Sequence, residues 1–328
     1  MTTIGIDTLL LGSSELNDYF IYGFLNQLVK SNAELVFIIL IPKKQEKRWT
    51  STDKIKFVPI DPEVKIFKKE ITRYRKDPAI SLWLCLNGQV RFDGRKSILF
   101  LDQLPVIKPP VVKHIIATSV QLKRQLVQKF HLEASRISVI YPGVNPLSAN
   151  PEPNQITVVS GGSANELINV VDIVATSALK HRTRHFNLLV NEARVLTTRA
   201  KVDARRVGNI SVLPNRPDQL ESTLSYTQFV IADHLKPDTL PLALIVLSFG
   251  IPTLCDKNSF NLEIFEDGAL YCNTADTVEM VDQISHTIKQ TGLRQILSEK
   301  AAEQKKRFTW DGCVDAVINL IRNQISND

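Results

Sequence analysis

Two adjacent glycines stand where a predicted strand passes into a predicted helix. Gly161, Gly162 and Ser163 follow the apolar run at residues 156–160 and precede an amphipathic segment at residues 164–180. Glycines in such a turn let backbone N–H groups approach an anion at the amino terminus of a helix. The same turn is also an ordinary connection between a strand and a helix, so both interpretations stay open.

Metal and disulfide chemistry is not indicated by the histidines and cysteines. The histidines lack the spacing of metal ligands, apart from His181 and His185, which lie four residues apart and are interpreted as an exposed, basic helix end. The four cysteines form no C-x-x-C pair, and each lies in an apolar or amphipathic stretch. We therefore expect buried, reduced thiols, no metal site and no bound cofactor.

The elements that must position these residues alternate between strands and helices, which is typical of parallel sheets with crossover helices. Strands are predicted at residues 4–11, 35–41, 54–58, 80–86, 97–101, 114–118, 156–160, 186–190, 210–213, 229–232, 252–255 and 269–272. Helices are predicted at residues 15–31, 63–76, 120–130, 164–180, 218–225, 241–248, 278–291, 293–308 and 311–323. The prolines and glycine of residues 141–152 mark a domain boundary after the first set of strands.

Composition is that of a globular protein, with 44% hydrophobic and 23% charged residues among 328. Its apolar runs are strand-sized, short of the roughly 18 to 20 residues that span a bilayer. The amino terminus lacks a basic region followed by an apolar core, so no signal peptide is indicated and a cytoplasmic protein is expected.

A net charge of +6 is concentrated in four basic clusters. The clusters are Lys43, Lys44, Lys47 and Arg48; Lys65, Lys68, Lys69, Arg73, Arg75 and Lys76; Arg182, Arg184 and His185; and Lys305, Lys306 and Arg307. They are either solvated helix faces and loops or a surface that meets anionic lipid or nucleotide phosphates. Nucleic acid is not expected as a partner, because no recognition motif or interleaved aromatic residues accompany the charge.

Four segments carry motifs in a fixed order. They are I-G-I-D at residues 4–7, H-I-I-A-T-S through R-I-S-V-I-Y-P-G-V-N at 114–145, the helix and strand at 213–232, and a carboxyl-terminal series. That series contains G-I-P at 250–252, N-L-E at 261–263 and F-T-W at 308–310. Together the segments resemble family-4 glycosyltransferases, which have the GT-B fold, and they cover most of residues 95–325.

The resemblance implies an α/β protein of two Rossmann-like domains with parallel sheets that face each other across a cleft. We expect residues 1–145 to form the acceptor-side domain and residues 146–307 the donor-side domain. Residues 308–328 should form a helix that crosses back to the first domain. In the family, transfer from a nucleotide sugar retains anomeric configuration and needs no metal.

The resemblance also assigns roles to individual positions. Gly161, Gly162 and Ser163 match the loop that holds the donor diphosphate, and Glu263 matches the family's donor-binding glutamate, although a surface helix position is an equal alternative. Asp102 matches the acid of a family H-D turn whose histidine is replaced by Leu101. As a lone loop carboxylate, Asp102 either acts in catalysis or caps the following turn.

Several polar groups that bind the donor in the family are absent. The two paired acidic residues fall on Pro237 and Ile245, although Asp238 could shift into the first position. An isoleucine cannot accept hydrogen bonds from ribose hydroxyls. The family's arginine and lysine are replaced near Ala164, Asn165 and Glu166, and a glutamate would repel a diphosphate. Substitutes in space would be Lys201, Arg205 or Arg206. The acceptor side is also shortened, because residues 105–113 directly join two strands.

Two hypotheses follow, and they belong to different classes. One is a weakly active or non-catalytic pseudoglycosyltransferase that serves as a partner or scaffold in nucleotide-sugar-dependent glycan or surface-polysaccharide synthesis. The other is an active, divergent, retaining glycosyltransferase with a nucleotide-sugar donor. A bare nucleotide-binding regulator is a third interpretation. Under either main hypothesis, a nucleotide sugar, a protein partner and peripheral contact with the inner face of the membrane are the expected interactions.

Overall fold

A computed structural model describes residues 2–11, 15–31, 34–61, 67–86 and 88–326. The contacts divide the chain into two compact units. Unit 1 comprises Met1–Gly143 and Trp310–Asp328, and unit 2 comprises Val144–Thr309. Among the described helices, none has the length and apolar character that crossing a bilayer requires.

The described residues of unit 1 form a parallel sheet of seven strands in the order β3-β2-β1-β4-β5-β6-β7. The strands are β1 Thr3–Asp7, β2 Val36–Pro42, β3 Ile55–Ile60, β4 Ile80–Cys85, β5 Ser97–Leu101, β6 His114–Ala117 and β7 Ile137–Val139. The helices of this unit are α1 Glu15–Lys30, α2 Phe67–Arg75, α3 Val120–Phe130 and α11 Trp310–Ser326. The strands are apolar along most of their length, as expected where helices cover both faces of a parallel sheet.

The carboxyl-terminal helix α11 packs against α1 within unit 1. Gly23 of α1 makes this close approach possible, because a Cβ atom at this position would lie 2.0 Å from the indole of Trp310. Phe20 stacks on Phe100 of the sheet with ring centroids 4.4 Å apart and also contacts Trp310. Buried apolar residues line one face of α11, so the helix completes the core of this unit.

The described residues of unit 2 form a second parallel sheet, with six strands in the order β10-β9-β8-β11-β12-β13. The strands are β8 Gln155–Ser160, β9 His185–Val190, β10 Ile210–Pro214, β11 Phe229–Asp233, β12 Thr253–Asp256 and β13 Ala269–Cys272. The helices are α4 Glu166–Lys180, α5 Val195–Ala204, α6 Pro217–Leu224, α7 Leu240–Ser248, α8 Ser259–Phe265, α9 Thr277–Lys289 and α10 Thr291–Gln304. Both sheets are therefore of the Rossmann-like type that the sequence predicts.

Three elements were missed in the sequence. The strand at residues 114–118 is not the last of its unit, because β7 pairs with β6 in parallel; β7 has only three residues. Helix α5 was missed since it buries only Thr198 and Val202 and has little apolar periodicity. Helix α8 has only seven residues. Residues 62–66, the start of the predicted helix at 63–76 and the position of Lys65, lie outside the described residues.

In each sheet the chain builds strands outward in one direction and then returns to the middle to build in the other direction, so the strand order reverses at one point. In unit 1 the reversal lies between β1 and β4, and in unit 2 it lies between β8 and β11. Ligands of such sheets bind outside the carboxyl ends of the strands at this reversal. The carboxyl ends of β8 and β11 are therefore the first place to look for a site in unit 2.

Candidate functional site

A buried carboxylate marks the strand reversal of unit 2. Ser160 ends β8 and Asp233 ends β11, and the two residues are partners in the sheet register. Asp233 is only 2% exposed. Its carboxylate accepts hydrogen bonds from Ser160 Oγ at 3.0 Å and from His234 Nδ1 at 2.7 Å. Each carboxylate oxygen thus has a donor, as a buried charge requires.

His234 is a cation at the entrance to this edge of the sheet. Its hydrogen bond to Asp233 raises the pKa of His234 to about 9, and the charges of Asp233, Glu166 and Asp256 act in the same direction. Its Nε2 lies 3.8 Å from Glu166 Oε1. The backbone of His234 is left-handed, with φ of 50°, and its N–H donates to Asp256 Oδ1 at 3.1 Å. An imidazolium in this place can attract an anion.

Asp256 at the end of β12 extends the network to helix α8. Asn258 donates to Asp256 Oδ2 at 2.7 Å and caps α8 by accepting from the N–H of Asn261. Burial, followed by the nearby charge of Asp233, raises the pKa of Asp256. Glu263, one of the predicted donor-binding residues, is half-buried in α8. The helix that carries Glu263 is therefore anchored to the same carboxyl edge.

The predicted anion loop is already satisfied by groups of its own chain. The N–H of Gly161 donates to the carbonyl of Asp233 at 2.9 Å, and the N–H of Gly162 donates to Ser160 Oγ at 3.2 Å. The N–H of Ser163 donates to the carboxylate of Glu166, while Ser163 Oγ accepts from the N–H of Glu166 at 3.4 Å. This reciprocal pairing is a capping box at the start of α4.

The capping carboxylate of Glu166 bonds to the loop that the resemblance assigns to the donor diphosphate. Its hydrogen bond from the backbone of Ser163 lowers the pKa of Glu166, so this residue is ionised at neutral pH. Gly161 is required for packing as well, because a Cβ atom there would lie 2.8 Å from the carbonyl oxygen of His234. The loop conformation thus has a structural cause that is independent of any ligand.

Two cations reach the carbonyl groups of this loop from helix α5 and the turn before it. Arg194 donates to the carbonyl of Gly162, and Lys201 Nζ lies 3.5 Å from the carbonyl of Ala164. Arg205 instead forms an ion pair with Asp172. Of the predicted substitutes for the family's basic pair, Lys201 lies at the loop, whereas Arg205 is engaged elsewhere.

Asp238 lies on a short 3-10 turn, Pro237–Thr239, that packs against the glycine loop. The Thr239 side chain lies about 3 Å from the position of a Cβ atom on Gly161. Asp238 Oδ2 is 3.8 Å from Lys236 Nζ. The structure therefore places the turn that carries Asp238 against Gly161, and Lys236 acts on two carboxylates, those of Asp238 and Glu166.

The two positions that carry paired acids in the resembled family are both buried. Ile245 is 0% exposed in α7, a helix whose residues from Leu242 to Ser248 are all buried. Pro237 is also buried. Because Ile245 is fully buried, its side chain cannot contact a ligand. Position 245 therefore carries no acid, and its isoleucine side chain packs fully among apolar residues.

Asp102, the predicted catalytic residue, belongs to unit 1. It follows β5 and lines a cavity of about 320 Å³ together with Phe20, Gly88 and Gln103. Near the reversal of this sheet, the fully buried Asp7 pairs with Arg91 at 2.9 Å. The structure thus places Asp102 at the wall of a cavity, in a different unit from the other predicted site residues.

His181 caps the carboxyl end of α4, where a helix end was predicted, but it is half-buried and not exposed, and His185 begins strand β9. His181 Nε2 bonds to Ser285 Oγ, and His185 Nε2 bonds to Ser211 Oγ, each at 2.9 Å. Burial lowers the pKa of both residues. Within the described ranges of the chain, no cluster of three or more histidine, cysteine, aspartate or glutamate residues could hold a metal ion.

Sequence reasoning missed Arg194, Asp233 and His234. An Asp-His pair directly after an apolar strand was a usable signal, because polar residues at the carboxyl end of a parallel strand face the ligand edge. Arg194 gave no comparable signal. It precedes a helix without clear apolar periodicity and meets Gly162 only through the fold.

Known structures similar to this one are glycosyltransferases. A glycosyltransferase from Rickettsia africae superposes with a TM-score of 0.73 at 13% identity, covering 99% of each chain. A sucrose-phosphate synthase from Thermosynechococcus elongatus superposes with a TM-score of 0.73 at 13% identity, covering 100% of both chains. Anabaena HepE in complex with UDP and glucose superposes with a TM-score of 0.74 at 11% identity, covering 98% of this chain and 100% of HepE.

No protein-family model matches the sequence, and no curated protein matches it either. The structural similarity extends over the whole chain at low sequence identity, so it establishes the fold. The protein therefore has the α/β architecture of GT-B glycosyltransferases, with two Rossmann-like parallel sheets. The predicted resemblance to glycosyltransferases of this fold is confirmed at the level of structure.

Proposed function

We propose that this protein is a glycosyltransferase-like member of a nucleotide-sugar-dependent glycan pathway, such as surface-polysaccharide synthesis, with weak or no transferase activity. The missing acids at Ile245 and Pro237 carry the proposal, and a first supporting observation is the self-capped glycine loop. The N–H groups of Gly161, Gly162 and Ser163 all have acceptors within the chain, and one acceptor is the charged carboxylate of Glu166. A diphosphate would have to displace that carboxylate or bind beside it.

The missing acids predict weak donor binding. Ile245 and Pro237 are buried and their side chains have no acceptor atom, so neither can supply the hydrogen bonds that the family's acids make. Each charged hydrogen bond contributes about 1.5–3 kcal/mol. Losing two of them weakens binding by about two to four orders of magnitude. Asp238 and Glu263 would be the remaining acidic contacts to a donor.

The alternative is an active, divergent, retaining transferase, and the cations at the loop favour it. His234, Lys236, Arg194 and Lys201 surround Gly162 and Glu166. Such a group could neutralise the charge that develops on a leaving diphosphate. Asp102 would then act on the acceptor side. Anabaena HepE has been crystallised with UDP and with UDP-glucose, which makes a uridine nucleotide the first ligand to test.

The discriminating experiment is calorimetric titration with UDP, GDP and their common sugar conjugates. The proteins to compare are the wild type, Glu166→Gln, and Glu299→Gln as a control on the exposed surface of α10. The proposal expects no detectable binding by the wild type at millimolar nucleotide. Since a capping interaction contributes about 1 kcal/mol, the substitution Glu166→Gln should increase the nucleotide affinity by no more than about tenfold.

Micromolar binding by the wild type would favour the alternative, and turnover assays would follow. Binding without turnover would support the bare nucleotide-binding regulator. Micromolar binding by Glu166→Gln alone would contradict the argument from missing acids, because the rest of the site would then be competent. The proposal also includes a protein partner of the same pathway and a place in the cytoplasm at the inner face of the membrane.

A further inference from the structure

An exposed aliphatic segment joins β5 to β6 in unit 1. We name residues 105–111, Pro-Val-Ile-Lys-Pro-Pro-Val, the apolar loop. Val106 is 90% exposed, Ile107 is 79% exposed and Val111 is 78% exposed. Single exposed aliphatic residues are ordinary on protein surfaces, but three within six positions form a patch that requires an explanation.

The chain holds the apolar loop in place at both ends. Lys129 Nζ donates to the carbonyl of Pro105 at 3.2 Å. Pro109 and Val112 are buried, and the N–H of Lys113 donates to the carbonyl of Gly94 at 2.9 Å. Proline residues further restrict the backbone. The aliphatic side chains are thus presented outward by an anchored segment.

Basic residues surround the apolar loop. The nearby cations are Lys108, Lys129 and Arg136, together with Arg95 and Lys96 on the short turn whose Gly94 lies against the carbonyl of Val111. The nearby acids are Asp93, which caps that turn, and Glu133. Lys108, Arg136 and His131 line a pocket of about 210 Å³, whose wall includes Pro109, Pro110 and Val111 of the same loop. An exposed aliphatic loop beside a positively charged pocket suits a surface that has an apolar interior and an anionic outer layer.

We propose that the apolar loop docks this protein on an anionic lipid surface. Val106, Ile107 and Val111 enter the boundary between headgroups and acyl chains, while Lys108, Lys129 and Arg136 contact lipid phosphates. Burial of apolar area and attraction to anionic lipid act together in interfacial binding. A second copy of the chain fits less well, because the same cations would face each other across the contact.

This inference rests on the membrane placement in the proposed function and names the surface responsible for it, but it does not depend on the nucleotide site of unit 2. Vesicle binding can therefore fail while the nucleotide results stand, and the reverse also holds. The excess of basic over acidic residues around the loop favours lipid over an uncharged apolar protein groove. The surface differs from the four basic clusters seen in the sequence, because here the cations flank aliphatic residues.

The test is cosedimentation of the full chain with vesicles of phosphatidylcholine alone and of phosphatidylcholine with phosphatidylglycerol at a ratio of about 7:3. The double variant Val106→Ser/Ile107→Ser removes two aliphatic anchors. The matched control is Leu196→Ser in unit 2, whose side chain is 78% exposed. Because these positions are exposed, thermal unfolding should show that the variants remain folded.

We expect the wild type and Leu196→Ser to bind the anionic vesicles, and high salt to weaken that binding. Loss of both anchors should reduce the partition coefficient on the order of tenfold or more. Equal partition of the double variant and the wild type would overturn the proposal. So would failure of the wild type to bind anionic vesicles, or self-association that disappears in the double variant.

Discussion

The ion pair of the buried Asp233 with the partly exposed His234, at the strand reversal of unit 2, yields the sharpest prediction. Asp233 is almost fully buried, and its carboxylate is the largest cause of the raised pKa of His234, which is about 9. The substitution Asp233→Asn keeps the size and an acceptor oxygen but removes the charge. Ser160 Oγ and the amide can still form a hydrogen bond, so the edge of the sheet should remain folded.

The expected magnitude follows from the lost charge-assisted bond. A hydrogen bond to a charged group contributes about 1.5–3 kcal/mol, and one pH unit of pKa corresponds to about 1.4 kcal/mol. The pKa of His234 should therefore fall by about one to two pH units in Asp233→Asn. Glu166 at 3.8 Å and Asp256 remain, so the pKa should stay above its ordinary value.

The measurement is a histidine titration by NMR on wild type and Asp233→Asn. His185 serves as an internal control, because its pKa is lowered by burial and its partner is Ser211. The titration of His185 should be unchanged. A wild-type pKa of His234 near 6.5, or a pKa that stays near 9 in the variant, would refute the assignment of Asp233 as the dominant partner.

The same pair sets a pH dependence of stability. Because the folded-state pKa of His234 is raised, the native state binds this proton more tightly than the unfolded chain does. The resulting stability is fully present below pH 6.5, the ordinary pKa, and is lost as pH rises through about 9. Urea unfolding from pH 6 to 10 should show this loss in wild type, and a smaller loss that ends at lower pH in Asp233→Asn.

Four further predictions concern packing and reactivity. Gly161→Ala should lower the free energy of unfolding by about 1–3 kcal/mol, because its Cβ would meet a backbone carbonyl at 2.8 Å; the control Gly208→Ala, which faces open space, should be nearly neutral in urea unfolding. Gly23→Ala should loosen α11, measured by hydrogen exchange, because its Cβ would overlap the Trp310 indole. Ile245→Asp should unfold unit 2 rather than restore nucleotide binding, as circular dichroism would show. A thiol reagent should modify the native protein slowly at pH 8, because burial raises the pKa of all four cysteines.

Much of the fold could be predicted because its strands are short apolar runs separated by helices and turns. The runs at residues 156–160 and 229–232 became β8 and β11 almost unchanged. Prediction failed where local signals were weak. Helix α5 buries two residues only, and β7 is a short strand whose identity depends on its pairing with β6.

Less of the candidate site could be predicted, because its contacts join residues that are distant in sequence. Gly161, Gly162 and Ser163 were identified as a loop between strand and helix, and the structure adds that Glu166 caps this loop. The contact of Arg194 with Gly162 spans 32 residues. The bond between Ser160 and Asp233 spans 73 residues and exists only because β8 and β11 are neighbours.

The relative energies of these groups determine how a nucleotide could still bind. Replacing the Glu166 cap would cost about 1 kcal/mol, which is less than tenfold in affinity. A diphosphate could take over the bonds of that carboxylate and gain attraction from His234 and Lys236, whose charges already stabilise Glu166. The cap alone is therefore a weak barrier. The larger expected deficit is at Ile245, since this isoleucine is buried in the core and accepts no hydrogen bond, whereas Asp238 could substitute only at the neighbouring position of Pro237.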